Sequence, residues 1–196
     1  MRPDKRQAIL HGALNVFARD GYSRASIDAI AKEAEVSTRT LYNHFADKAD
    51  LFRHVIQASA DAAAREQIAI IERHFHKVTN LEKDLTAFGR AMCTELGNAT
   101  HFALVRQINA ELGHIPDDAI EAWQETGPRK VRATLAHELA RLGFKDSARA
   151  AVHLMMLTMT GDPSIRGSRP SDDDIRAGVR VFLHGQDVEK RREATT

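Results

Sequence analysis

Apolar side chains recur along this chain at the three-to-four-residue spacing of one helix face, broken by polar or glycine-bearing stops. Ile9, Leu10, Ala13, Leu14 and Phe17 form the first stripe. Asp20-Gly21-Tyr22 ends it, with Gly21 suited to a left-handed cap. Ser26 opens a short second helix, where its hydroxyl can cap free backbone N–H groups and Asp28 suits the positive helix end. Ile27, Ile30 and Ala31 carry this helix to about Ala34, and a third runs from Ser37 to near Phe45. Asp47 caps a fourth, with Asp50 three residues on in a capping-box-like spacing. No glycine or proline falls between Ala46 and Gly89, so the fourth helix extends into the His74 region, with its break at Thr79-Asn80.

The remainder reads as a helical bundle. Helices are expected over about Leu81 to Leu96 and Thr100 to Leu112, and from Pro116 to the break at Gly127-Pro128. Others follow from Pro128 to Leu142 and from about Asp146 to Thr160, with a loop over 161–170. Ser171, followed by three aspartates, starts a last helix that ends near Gly185. Alternating β-branched runs and Asn-Gly or Asp-Gly turns are missing, so no strand is expected. The fold class is all-α, with about nine helices: an N-terminal three-helix helix-turn-helix domain plus a C-terminal helical bundle. The domain bounds read as 1–47 and 48–186, with a polar, frayed tail over 187–196.

Residues 26 to 45 carry the chemistry. Two short helices joined by Ala34-Glu35-Val36 can pack through Ile27, Ile30, Ala31, Val36, Leu41 and Phe45. Thr38, Arg39, Thr40, Tyr42, Asn43 and His44 are left on or near the outer side. All six can donate hydrogen bonds and none is acidic, the layout of a helix that enters a DNA major groove. Arg39 can pair with guanine O6 and N7, and Asn43 with adenine. Thr38 or Thr40 can touch a thymine methyl or a phosphate. Tyr42, His44 and Lys48 are placed to hold the phosphate backbone, and Ser26 and Ser37 complete the expected DNA-contacting set. Backbone N–H groups at Ser26 and at the start of the Asp47 helix can meet phosphates as well. Lys5, Arg6, Arg24 and Arg53 widen the electropositive footprint.

Over residues 5 to 54 the chain resembles the N-terminal domain of the TetR family of bacterial transcriptional regulators. The matching elements are Ala8-Ile9-Leu10, Ala13, Phe17, Gly21-Tyr22, Ser26-Ile27, Ile30-Ala31 and Ala34. They continue through Val36-Ser37, Thr40-Leu41-Tyr42-Asn43-His44-Phe45, Lys48 and Leu51. One departure is Glu35, where the family usually has glycine in the turn, so a side chain there must accept a strained backbone or a slightly different turn. The resemblance implies that the C-terminal helices bind a small-molecule effector and form a homodimer. The stretches 88–113, Trp123 and 130–143 also resemble, more diffusely, the C-terminal domain of the AefR-like subgroup.

Residue types give softer indications for the C-terminal part. Phe88, Met92, Cys93, Phe102 and Trp123, with Leu104 and Ile108, are large or soft apolar residues that can line an adaptable pocket. His101 and Arg106 can supply polar contacts, while ordinary core packing explains the same apolar residues. Val152, Leu154, Met155, Met156, Leu157 and Met159 occupy almost every direction of one helix, which therefore needs cover on more than one face. Ile175, Val179, Phe182 and Leu183 form a stripe on the last helix, with Gly178 suited to close helix approach. A two-fold four-helix interface through Val152, Met155, Met156, Met159, Ile175, Gly178, Val179 and Phe182 follows as one reading. The core of a single chain is the other.

Composition narrows the classes. Apolar residues are 43% and charged residues 28%, which excludes a disordered chain. A net charge of +1 excludes a strongly basic chromatin-type protein but not a basic face. Cys93 is the one cysteine, so intrachain disulfides and multi-cysteine zinc motifs are excluded. His74 and His76 stand two apart and cannot easily share a metal. No phosphate loop or nucleophile elbow occurs, so neither enzyme activity nor a cofactor or metal is expected. The longest apolar-rich run, 148–159, is too short and too interrupted for a membrane span, and a cytoplasmic location is expected. The expected function is a sequence-specific DNA-binding regulator, a ligand-responsive repressor acting on operator DNA as a homodimer. The alternatives are an effector-independent regulator or activator, and a helical small-molecule-binding protein without DNA use.

Overall fold

The structure, a computed structural model, describes residues 4–96, 99–159 and 170–193. Ten helices and no strand occur among the described residues. They are α1 (Lys5–Arg24), α2 (Ile27–Glu33), α3 (Thr38–Tyr42), α4 (Lys48–Phe75) and α5 (Leu81–Thr94). They continue with α6 (Ala99–Ala110), α7 (Asp117–Thr126), α8 (Pro128–Arg141), α9 (Ser147–Met159) and α10 (Asp172–Glu193). Apart from Pro170, the loop expected over 161–170 lies outside the described residues.

Local chemistry sets the helix starts. Ser26 accepts a hydrogen bond from Ala29 N–H at 3.1 Å, Ser37 from Thr40 N–H at 3.1 Å and Asn80 from Lys83 N–H at 2.9 Å. Each satisfies one of the donors that a helix N-terminus leaves unpaired. The expected box at α4 forms: Asp47 accepts from Asp50 N–H at 2.8 Å, and Asp50 accepts from Ala46 N–H at 3.2 Å. Ser171 and Asp174 form a similar reciprocal pair before α10. Gly21 breaks the α1 pattern with φ 80°, after which one further turn runs to Arg24. The last helix continues to Glu193, past the expected end near Gly185, and residues 194–196 of the expected tail lie outside the described residues.

The described chain divides into two compact units. The first comprises residues 4–64 and 99–129, and the second residues 65–96, 130–159 and 170–193. The whole helix-turn-helix segment lies in the first unit, together with α6 and α7. There α1 packs against α2 and α6 around a continuous apolar core that includes Ile9, Phe17, Ile30, Leu41, Phe52 and Trp123. Phe52 meets Phe17 edge-on and lies beside Tyr22, with both ring-centroid distances 4.8 Å. Gly12 lets α1 approach the end of α2, since a Cβ there would stand 2.8 Å from Ala34 N.

In the second unit α10 packs against α5 and α9. A Cβ on Gly178 would lie 2.1 Å from the Leu157 carbonyl oxygen, so the close helix approach expected of this glycine is made within the chain. Ile175, Val179 and Phe182 are 1%, 0% and 3% exposed, and Phe182 stacks on Phe144 at 5.3 Å. This corrects the reading of Ile175, Gly178, Val179 and Phe182 as dimer contacts: they fill the interior of one chain. Val152 and Met156 remain 38% and 59% exposed and Met155 is half-buried, whereas the Met159 side chain lies outside the described residues.

Candidate nucleic-acid interface

The turn between α2 and α3 is held by backbone geometry. Val36 N–H donates to the Ala31 carbonyl at 3.0 Å and Glu35 N–H to the Lys32 carbonyl at 3.2 Å. These two bonds make a Schellman motif, whose closing residue must adopt positive φ. That residue is Glu35, with φ 53°, so of the two outcomes open to a non-glycine residue here the chain takes the strained backbone. The turn redirects the chain so that Val36 packs against the apolar core while Ser37 caps α3.

Helix α3 is shorter than the sequence pattern indicated. It spans Thr38–Tyr42, and the Asn43 to Arg39 and Phe45 to Leu41 backbone bonds carry the coil a little further. Leu41 and Phe45 anchor it at 0% and 2% exposure. Arg39, Tyr42, Asn43 and His44 are exposed, while Thr38 and Thr40 are half-buried. Among the described residues, the side chains of Thr38, Arg39, Tyr42, Asn43 and His44 have no hydrogen-bond or ion-pair partner. The Thr40 hydroxyl pairs with that of Ser37 at 2.8 Å, and both Ser37 and Ser26 act as helix caps while remaining exposed. A row of unengaged donors on a firmly seated short helix can bind an external acceptor without first breaking internal bonds.

Lys48 is placed differently from expectation. Its ammonium donates to the carbonyls of Tyr22, Ser23 and Ala25 at 3.0, 3.4 and 3.3 Å and lies 4.8 Å from the centroid of the Tyr22 ring. An ammonium has three donors, and these are directed at the last turn of α1 and at Ala25, which follows it. Lys48 is therefore a latch between α4 and the α1–α2 connection, which corrects its reading as a phosphate contact. Arg53 is likewise engaged, with Asp50 at 2.6 Å and Asp118 at 3.0 Å, and adds little to a basic footprint. Arg24 donates to the Asp20 carbonyl at 2.9 Å, and the Arg6 guanidinium lies 5.3 Å from the Phe45 ring centroid.

Two polar contacts in the same unit had no local sequence signal. Glu111 in the turn after α6 accepts from the Ser23 N–H at 2.8 Å and from the Ser23 hydroxyl at 2.9 Å, across 88 residues of chain. Ser59 Oγ and His101 Nδ1 stand 2.9 Å apart in the interior, joining α4 to α6. Burial pushes the His101 imidazole pKa below its ordinary value, because the charged ring would lose its water.

The expected ligand residues do not gather in either unit. Phe88, Met92 and Cys93 belong to the second, and Phe102, Arg106 and Trp123 to the first. Phe88 is fully buried against Phe75, with ring centroids 5.2 Å apart, and Met92 is 5% exposed. Cys93 is half-buried, its thiol 3.6 Å from the Thr158 carbonyl oxygen. Trp123 is part of the first unit's core, whereas Phe102 and Arg106 are exposed. Core packing, the alternative reading, accounts for Phe88, Met92 and Trp123.

Residues 9–55 match the bacterial regulatory proteins of the tetR family. The chain is 43% identical over 56 residues to the HTH-type transcriptional regulator AcrR of Shigella flexneri, covering 29% of this chain and 26% of that protein. It thus spans about a quarter of the length of this curated relative. Among solved structures, a TetR-family transcriptional regulator of Mesorhizobium loti aligns with TM-score 0.78 at 25% identity, over 92% of this chain and 95% of that one. The flavonoid-responsive regulator FrrA aligns with TM-score 0.64 at 28% identity, over 92% and 96% of the two chains.

Proposed function

We propose that this chain, which belongs to the TetR family of bacterial transcriptional regulators, represses transcription as a homodimer seated on operator DNA. It is a regulator and not an enzyme. The observation that carries the reading is the exposed, unengaged row Arg39, Tyr42, Asn43 and His44 on α3. Arg39 and Asn43 read base edges, Tyr42 and His44 hold phosphates, and the capped N-termini at Ser26 and Ser37 face the backbone. One five-residue helix reads only a few base pairs, so two copies on half-sites about 34–36 Å apart are needed for useful affinity.

The exposed apolar residues Val152, Met156 and Leu157 of α9 and Val181 of α10 support a second copy covering this end of the second unit. Helix α4 contributes residues to both units and is the element through which a bound effector alters the DNA-binding helices. An effector acts only through unequal affinity for the DNA-competent and incompetent states. The flavonoid-responsive name of one structural neighbour supports a small-molecule effector of some kind. A second reading, a regulator without an effector, draws support from the burial of Phe88, Met92 and Trp123 as packing residues.

Sedimentation and mobility-shift measurements test the proposal together. A species of twice the 21.8 kDa chain mass that shifts the gene's own upstream DNA is the expected result. A chain that sediments as a monomer at micromolar concentration and shifts no DNA at low salt would overturn it.

A further inference from the structure

An open groove of about 610 Å³ lies within the second unit between α5 and α10, and the regulator reading gives it no role. Lys83 and Arg90 line it from α5, one helical repeat of seven apart, with Thr86 between them on the same face. Arg176 and Arg180 line it from α10, one turn apart. Among the described residues Glu82 is the one carboxylate in the lining, and Asp172 and Asp173 stand beside it at the start of α10.

The arginines are positioned by acidic neighbours. Arg90 binds Asp172 through Nε at 2.8 Å and Nη2 at 2.7 Å, Arg176 binds Asp173 through Nη1 at 3.1 Å, and Arg180 binds Glu82 through Nε at 2.7 Å. All three guanidiniums are about half exposed, so these pairs are weak individually but fix where the guanidiniums stand. A guanidinium carries five N–H donors, and each pair uses one or two. The remaining donors can engage a further anion, and a planar fork suits carboxylate or phosphate oxygens. Lys83 makes no side-chain hydrogen bond or ion pair among the described residues, though its ammonium acts electrostatically on the neighbouring Asp84 carboxylate.

We infer that this groove binds a small organic anion with at least two acidic groups, one engaged at the Glu82 end by Lys83 and Arg180 and one at the Asp172 end by Arg90 and Arg176. The shared chemistry is that of polycarboxylates and of phosphorylated metabolites. The two ends stand about 10 Å apart along α5, which makes a dianion or higher the required ligand, because a single carboxylate reaches one end only.

Isothermal titration calorimetry on the full chain tests this with citrate and with pyrophosphate, at ionic strength matched by sodium chloride and with acetate as the monoanion. The expected result is saturable binding of at least one probe at one site per chain, with acetate at least tenfold weaker. Citrate alone binding assigns polycarboxylates, and pyrophosphate alone assigns phosphorylated ligands. In a Lys83→Gln/Arg176→Gln variant the affinity falls at least tenfold, while circular dichroism and melting temperature stay those of the wild type. That variant leaves the Arg90–Asp172 and Arg180–Glu82 pairs in place. Absence of saturable binding by either probe up to millimolar concentration, or affinity unchanged in the variant, overturns the inference. A variant that melts early is replaced by Lys83→Gln alone, for which a loss of at least threefold is expected and unchanged affinity is contrary. No DNA enters the assay, so its outcome is independent of operator binding.

Discussion

The sequence reads α3 as facing a DNA groove and the α10 stripe as covered either by a second subunit or by its own chain, and the two stripes turn out oppositely. Helix α3 keeps Arg39, Tyr42, Asn43 and His44 outward and unengaged. Helix α10 turns Ile175, Val179 and Phe182 into its own chain. The difference lies in what a sequence pattern constrains. Polar donors on a short helix stay in water because burying them without partners is costly, so their outward placement follows from their type. An apolar stripe requires only that something cover it, and an intrachain neighbour satisfies that as well as a partner does.

The largest effect that tests this contrast is in α10. Phe182→Ala removes a buried ring stacked on Phe144 and is expected to lower stability by about 3–5 kcal/mol, read by urea unfolding. If Phe182 served mainly an interface, the loss would instead appear as a weaker dimer with little change in the folding of the chain. Arg39→Ala is expected to leave the melting temperature unchanged. It costs about 1–3 kcal/mol of operator affinity and relaxes sequence choice at one position, measured by fluorescence anisotropy on matched and mismatched DNA.

Lys48→Ala separates a latch from a phosphate contact. The structure predicts a stability loss of about 1–3 kcal/mol from orphaned carbonyls at Tyr22 and Ala25, with the slope of affinity against salt unchanged. A salt slope lowered by about one at unchanged stability would restore the phosphate role. Glu35→Gly is the reverse case, because glycine accepts φ 53° without strain. An increase of about 1 kcal/mol in unfolding free energy is expected, and a decrease would contradict the strain assigned to that turn.

The smallest effect concerns pH. The His101 pKa is depressed in the folded state, so below the ordinary histidine value of 6.5 the unfolded chain takes up a proton that the folded chain resists. Stability supplied by this group is therefore full above that value and is lost as pH falls from it toward the folded pKa. A His101→Gln variant is expected to show a shallower loss between pH 7 and pH 5 by thermal melting, and an equal slope would remove His101 as the source.

Helix starts were readable from sequence wherever a side chain caps its own helix, as at Ser26, Ser37, Asp47 and Ser171, because capping is decided within four residues. Glu35 was readable for the same reason: the turn's φ requirement is local. Lys48, Glu111 and the Ser59–His101 pair were not, since their partners lie 23 to 88 residues away and tertiary packing selects them. Phe88 and Trp123 show the limit for pockets. A large apolar side chain has the same pattern in a cavity wall as in a filled core, and here both are buried.

The central claim is that the outward donors of α3, duplicated by two-fold symmetry, read base edges. Selection of binding sites from random-sequence DNA by the purified chain tests it most directly. The account predicts enrichment of a palindromic site whose half-sites are about 10–10.5 base pairs apart, with Arg39→Ala relaxing one position symmetrically in each half. Enrichment of no sequence, or of one unchanged by substitution of Arg39 and Asn43, would contradict it.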